Sequence, residues 1–196
     1  MIAVVDYDTG NLRSVDNAFR RIGVEAVFTD DHAVIRSADR VLLPGVGEAS
    51  SAMAKLRERG LDRLIPSLTQ PVLGICIGMQ LMCLTSEEGA AECMGIFDTD
   101  VVRFSADKSG GVKVPHMGWN TVSELSGPLF DGIAPETFFY FVHSFAPRIC
   151  CHTVARTWNG VTFSAALQNG NFFGTQFHPE KSGEAGRRLL ENFMKL

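Results

Sequence analysis

Four short apolar runs within the first 75 residues constrain this chain more than any other feature. Ile2–Val5, Val24–Thr29, Val41–Leu43 and Pro71–Ile75 are too short for helices. Ile2–Val5 is of the uniformly apolar, buried parallel-strand type; Val24–Thr29, with β-branched and aromatic residues, Val41–Leu43 and Pro71–Ile75 read as further strands. Between them the pattern turns helical. Leu12, Val15, Phe19 and Ile22 recur at helical spacing behind Asn11, a residue able to cap a helix start. A second helix is expected from about Glu48 to Arg59, closed by Gly60, and another over Gly78–Leu84. Strand–helix alternation at these lengths implies an α/β fold: a mainly parallel sheet flanked by helices.

The second half changes character. Ile96–Phe104, Trp119–Val122, Phe138–Phe145 and Thr153–Trp158 read as strands. Asn159-Gly160 and Asn169-Gly170 are two-residue hairpin signals between apolar runs, so antiparallel strands extend or cover the sheet. The chain returns through Phe172–Phe177 and ends in a helix. Ser182 is its expected cap, and Leu189, Leu190, Phe193 and Met194 its inner face. Phe138–Phe141 reads as a buried strand, and composition alone places Trp119 in the core. The loosest stretch is expected at Ser105–Gly111. No linker separates the halves, so residues 1–196 are expected to form one domain.

Composition narrows the classes of function. A net charge of −4 is a poor match to a general nucleic-acid or membrane-surface binder. No apolar run approaches the roughly 20 residues of a membrane span, and the N-terminus has no basic leader. The five cysteines are odd in number and include no C-x-x-C, which fits a reducing, cytoplasmic setting rather than a disulfide framework or zinc ribbon.

The chemistry concentrates at Gly74-Ile75-Cys76-Ile77-Gly78, where an apolar strand meets a helix. This is a nucleophile elbow with cysteine at its apex; the glycines leave room beside a sharply turned nucleophile. A helix N-terminus favours thiolate, the reactive form. Such a cysteine needs a base and the base an orienting group, which His178 and Glu180 supply in His178-Pro179-Glu180. In an extended chain, residues two apart point to one side. The Ile77 N–H is one oxyanion donor, and Gly45 or Val46, in the loop Pro44-Gly45-Val46-Gly47, another. A plain glycine turn or a phosphate cradle remains an open reading of that loop. The spacing of His116, His143 and His178 fits no common metal signature.

Gly74–Gln80, Pro44–Gly47 and Phe177–Glu180 together resemble the class I (triad) glutamine amidotransferases. Pro115–Asn120 and Tyr140–Ser144 narrow the resemblance to the branch that forms the glutaminase subunit of imidazole glycerol phosphate synthase, in histidine biosynthesis. It runs from Asp6 to Lys181. It implies a flavodoxin-like sheet and a Cys76–His178–Glu180 triad that releases ammonia from glutamine through a glutamyl thioester, without cofactor or metal. The Gly45–Val46 peptide would complete the oxyanion hole. Gly47, Gln80 and the backbone of Ser144 and Phe145 would contact substrate. Asn11, Trp119, Tyr140 and Lys181 match positions that face a (βα)8-barrel cyclase subunit, to which ammonia would pass within a heterodimer. That partner makes imidazole glycerol phosphate and an aminoimidazole carboxamide ribonucleotide. The sequence departs from the pattern at Asp8, where a small residue is usual, and at Phe145, where tyrosine is frequent. The elbow also suits glutaminases of other pathways, such as anthranilate or aminodeoxychorismate synthases; the 115–120 stretch discriminates. A flavodoxin-like phosphate-binding module is the reading under which Cys76 would be dispensable.

Overall fold

A computed structural model describes residues 1–8, 12–105, 112 and 114–196. Its first half follows the apolar runs. Strands β1 (Ile2–Val5), β2 (Ala26–Thr29), β3 (Arg40–Leu43) and β4 (Val72–Ile75) pair in parallel. Helices α1 (Leu12–Arg21), α2 (His32–Ser37), α3 (Ala49–Glu58) and α4 (Leu61–Leu64) connect them, and the one-turn α5 (Ile77–Gln80) follows β4. The short α2 is additional to the sequence expectation. It is nucleated by Asp31, whose carboxylate accepts from the Ala33 and Val34 N–H groups at 2.7 and 3.2 Å. Gly60 closes α3 in a left-handed conformation, φ 67°.

The second half supplies β5 (Thr85–Ser86), β6 (Ala91–Glu92), β7 (Asp100–Arg103), β8 (His116–Val122), β9 (Thr137–His143), β10 (Phe145–Pro147), β11 (Thr153–Trp158), β12 (Thr162–Asn169), β13 (Phe172–Thr175) and α6 (Gly183–Phe193). The main sheet runs β11-β12-β13-β4-β3-β1-β2. Five parallel strands are thus extended at one edge by the two expected hairpins. β1, β4 and β13 are buried along their whole length. A second sheet, β10-β7-β5-β6, and the β8–β9 ribbon lie apart from it.

Four expectations are corrected. Ile96–Phe104 is a strand only over β7, because the Ile96 and Phe97 N–H groups both turn to the Met82 carbonyl at 2.8 Å. Phe138–Phe145 breaks at Ser144, where the chain leaves the ribbon for the second sheet. Within it only alternate residues are buried: Phe139 and Phe141 are enclosed while Phe138 is 57% exposed. Ser182 occupies the N-cap position of α6 but its side chain makes no capping bond; its hydroxyl donates to the His178 carbonyl (2.6 Å) and accepts from the Tyr140 N–H (2.9 Å). The expected cap Asn11 and all of the expected loose stretch but Ser105 lie outside the described residues.

Candidate active site

The carboxyl ends of β3, β4 and β13 meet at one point, the place where parallel α/β sheets carry ligands. β4 delivers Cys76, whose backbone is forced to φ 53°, ψ −110°. A non-glycine residue held there stores about 1–3 kcal/mol, sustained by the packing around it. Glycines make that packing possible. A Cβ at Gly74 would lie 2.7 Å from the Gly78 carbonyl carbon; one at Gly45 would lie 2.9 Å from the Gly78 nitrogen and the Ile77 Cβ. A Cβ at Gly78 would overlap the Leu43 carbonyl oxygen. The β3 loop therefore sits directly on the elbow.

The helix behind the elbow is one turn, not the seven residues expected over Gly78–Leu84. The Met82 and Cys83 N–H groups close it on the Met79 and Gln80 carbonyls (3.0 Å each), and the Leu84 N–H leaves for Thr99 (2.9 Å). The Ile77 N–H, at the first helical position, has no intrahelical acceptor. A single turn has little summed dipole, so the side chains around the sulfur set its polar surroundings.

β13 delivers the base. His178 follows the strand and is 1% exposed. Its Nδ1 meets Glu180 Oε1 at 2.7 Å. The pair does not meet through strand alternation, as expected from sequence. β13 ends at Thr175, and the 3₁₀ turn Pro179–Lys181 folds Glu180 back under the ring. With Nδ1–H donating to the carboxylate, Nε2 is left as the reactive nitrogen; it is buried without a hydrogen-bond partner among the described residues. Burial alone would lower the affinity of His178 for a proton. The Cys76 sulfur and the Glu180 carboxylate outweigh it and raise the pKa to about 10.

Cys76 and His178 share a cavity of about 310 Å³ with Val46, Gly47, Ile77, Gln80, Ser144, Phe145 and Lys181, all named from the sequence. Gly47 turns at φ 101°, which glycine tolerates. Gly45 lies beneath the elbow rather than on the cavity wall, and Glu180 behind His178. The strand break at Ser144 turns backbone toward the site. The Phe145 carbonyl accepts from Gln80 Nε2 at 2.9 Å and pairs with His143 Nδ1 at 2.8 Å.

Three features were missed from sequence. Glu88 lines the cavity; burial raises its carboxyl pKa, partly opposed by the Ala49 N–H at 3.1 Å. No local motif marks it, since only the second sheet brings it there. Gln176 is fully buried and donates to Cys76 Sγ at 3.6 Å. Its place two residues before His178 was a usable signal. His143 lines the wall and meets His116 edge-on behind it, with His116 Nδ1 and His143 Nε2 3.0 Å apart. Burial lowers their pKa values to about 4 and about 3. Among the described residues no three His, Cys, Asp or Glu side chains converge as a metal site.

Lys181 links this cavity to an exposed apolar face. Its Nζ stands 5.9 Å over the Tyr140 ring, which meets Trp119 edge-on at 6.0 Å. Trp119 is 56% and Met117 60% exposed, so Trp119 is not the core residue that composition suggested. Asn11 lies outside the described residues. The unusual Asp8 has a left-handed backbone, φ 60°, and its carboxylate pairs with Arg59, which also reaches the Asp30 carboxylate (3.2 Å) and the Asp6 carbonyl (2.9 Å).

Residues 3–196 match the family model described as glutamine amidotransferase class-I. The chain is 56% identical over 195 residues to imidazole glycerol phosphate synthase subunit HisH of Bacteroides fragilis, covering 100% of this chain and 99% of the relative. Identity is 46% over 197 residues to the HisH subunit of Yersinia pseudotuberculosis, with the same coverage. Among solved structures, PurLQS from Thermotoga maritima matches with TM-score 0.69 at 21% identity, covering 99% of this chain and 97% of that one. A glutamine amidotransferase from the same organism matches with TM-score 0.67 at 17% identity, covering 99% and 82%. These two likenesses establish the fold alone. With an elbow cysteine and a His–Glu pair at the sheet ends, and full-length relatives that agree, the chain belongs to the class-I glutamine amidotransferases, within the family of imidazole glycerol phosphate synthase subunits HisH.

Proposed function

We propose that this chain hydrolyses glutamine at Cys76 and hands the ammonia to a cyclase subunit. The observation that carries this reading is the His178–Glu180 contact of 2.7 Å behind a buried, unpartnered Nε2 in the cavity of Cys76. The sulfur attacks the side-chain amide carbon. The tetrahedral oxyanion takes N–H groups from Ile77 and the Gly45–Val46 peptide. Imidazolium His178 gives its Nε2 proton to the departing nitrogen as the C–N bond breaks, leaving ammonia and a glutamyl thioester. His178 then removes a proton from water, which attacks the thioester; collapse breaks the C–S bond, releasing glutamate and restoring the Cys76 thiolate beside imidazolium His178. Glu180 holds the ring tautomer throughout.

Substrate recognition follows from the wall. Glutamine carries an α-ammonium and an α-carboxylate. Glu88 is the partly buried carboxylate that suits the first, and the backbone at Ser144 and Phe145 suits the second. Gly47 and Gln80 flank the reacting side chain. The exposed face of Trp119, Tyr140 and Lys181 is the docking surface for the (βα)8-barrel cyclase, with Asn11 assigned to it from the resemblance. Docking there keeps ammonia neutral and locally concentrated, whereas in open water it would be protonated and diluted.

The test is glutamate release by the purified chain, alone and with a cyclase subunit plus its ribonucleotide ligand. A low rate that rises steeply with partner and ligand, and is lost in Cys76→Ala, is expected. A high rate indifferent to the cyclase would move the chain to another glutaminase pathway, and turnover retained in Cys76→Ala would reject the nucleophile.

A further inference from the structure

We infer that Gln176 is a positioning residue that holds the Cys76 sulfur as an oriented thiolate, through an amide relay that starts at the Phe145 carbonyl. The inference rests on Cys76 being the nucleophile. Gln176 is fully buried, and its backbone N–H is fixed to the Ala165 carbonyl at 2.8 Å. The orientation of a buried amide is set by the groups it faces, and here each orientation is dictated by the one before it. The Phe145 carbonyl only accepts, so the Gln80 atom 2.9 Å from it must be the NH₂ nitrogen. That same nitrogen lies 2.9 Å from the Gln176 side chain, which must therefore present its oxygen. The Gln176 nitrogen is then left facing Cys76 Sγ at 3.6 Å. A flip of Gln80 would set oxygen against oxygen, and a flip of Gln176 would set nitrogen against nitrogen and turn its oxygen toward the sulfur. The Phe145 carbonyl is in turn pinned by His143 at 2.8 Å.

The result is an N–H donor aimed at the nucleophile from the side of β13. A thiol gains little from such a donor, because sulfur is a weak acceptor. A thiolate gains considerably more, because a hydrogen bond to a charged group is stronger. The one-turn helix behind the elbow makes this contact more important than it would be beneath a long helix. The other groups around the sulfur are His178, which carries the exchangeable proton, and the cavity-lining Glu88 and Lys181. Gln176 moves no proton. It fixes the direction of the sulfur lone pairs and the proportion of thiolate. By occupying one Gln80 N–H it also fixes the rotamer of a residue in the substrate cavity.

The experiment is alkylation of the full chain by iodoacetamide across pH 5–10, following only the Cys76 peptide by mass spectrometry. Gln176→Met keeps the volume and removes the donor; Gln176→Asn keeps the amide and withdraws it by one methylene. Circular dichroism and thermal unfolding confirm folding, and Gln176→Asn carries the test if Gln176→Met does not fold. The expected result is a Cys76 labelling midpoint about one pH unit higher in the variant, with about tenfold slower labelling at neutral pH. A cavity-wall role alone would leave that profile in place, so a profile superimposed on that of the unaltered protein overturns the inference. Labelling needs neither glutamine nor cyclase. A failure of the proposed glutaminase reaction would appear in the Cys76→Ala turnover assay and not here.

Discussion

The buried pair His116 and His143 predicts an acid-labile site wall. In the unfolded chain both rings take up protons near pH 6.5; in the folded chain burial delays this to about 4 and about 3. A group whose folded pKa is depressed contributes stability that is present above its unfolded pKa and is lost as pH falls toward the folded value. The window is therefore pH 6.5 down to about 3. At pH 5 the unfolded state has bound a proton on each ring and the folded state almost none, a loss of about 2 kcal/mol per ring and about 4 kcal/mol for the pair. That is a large share of an ordinary domain stability of about 5–15 kcal/mol. The perturbation is the double variant His116→Leu/His143→Leu. The two groups that hydrogen-bond to the pair, the Phe145 carbonyl at His143 and Asn120 Nδ2 at His116 (3.1 Å), keep a partner: the carbonyl retains Gln80 Nε2, and Asn120 Nδ2 retains the Trp158 carbonyl at 2.9 Å. The assay is urea unfolding at pH 7 and pH 5. With a slope of about 2 kcal/mol/M, the midpoint should fall about 2 M further in the unaltered protein than in the variant. Equal falls in both proteins would refute the assignment of this acid lability to the pair.

Three further outcomes are expected. Gly78→Ala drives a methyl group into the Leu43 carbonyl, so it should destabilise by about 1–3 kcal/mol in urea unfolding and abolish glutamate release; Gly170→Ala, with open space around it, should keep that activity. Glu88→Gln should raise KM for glutamine about tenfold or more in the cyclase complex with a smaller change in kcat, since it removes the cavity carboxylate proposed to face the α-ammonium in both ground and transition states. Trp119→Ala should change the stability of the free chain by only about 0.5 kcal/mol, yet weaken cyclase association by about 2 kcal/mol, read as a roughly 30-fold rise in Kd by titration calorimetry.

Much of the frame was legible because it is local. Strands buried on both faces must be uniformly apolar, so Ile2–Val5 and Val41–Leu43 identify themselves, and the two Asn-Gly pairs mark hairpin turns, with Gly160 and Gly170 left-handed at φ 77° and 57°. The elbow is local too, since glycines two residues either side of Cys76 have few other uses at a strand–helix junction. The boundaries were less legible. The helix after Cys76 stops after one turn because the Leu84 N–H is claimed by Thr99, and the strand over 138–145 breaks at Ser144, whose carbonyl accepts from the Phe104 N–H at 3.0 Å. Those competitors come from elsewhere in the chain.

The same distinction separates the nucleophile from its surroundings. The sequence alone determined the apolar strands, the elbow at Cys76 and the candidate pair in His178-Pro179-Glu180, because each of these depends on residues within a few positions of one another. Only the tertiary structure decided that Glu88 enters the cavity from the second sheet, that Trp119 stands outside rather than in the core, and that Gln176 rather than a long helix faces the sulfur. These depend on packing between elements far apart in the chain, where burial and hydrogen-bond satisfaction are settled by whichever neighbours the fold brings near.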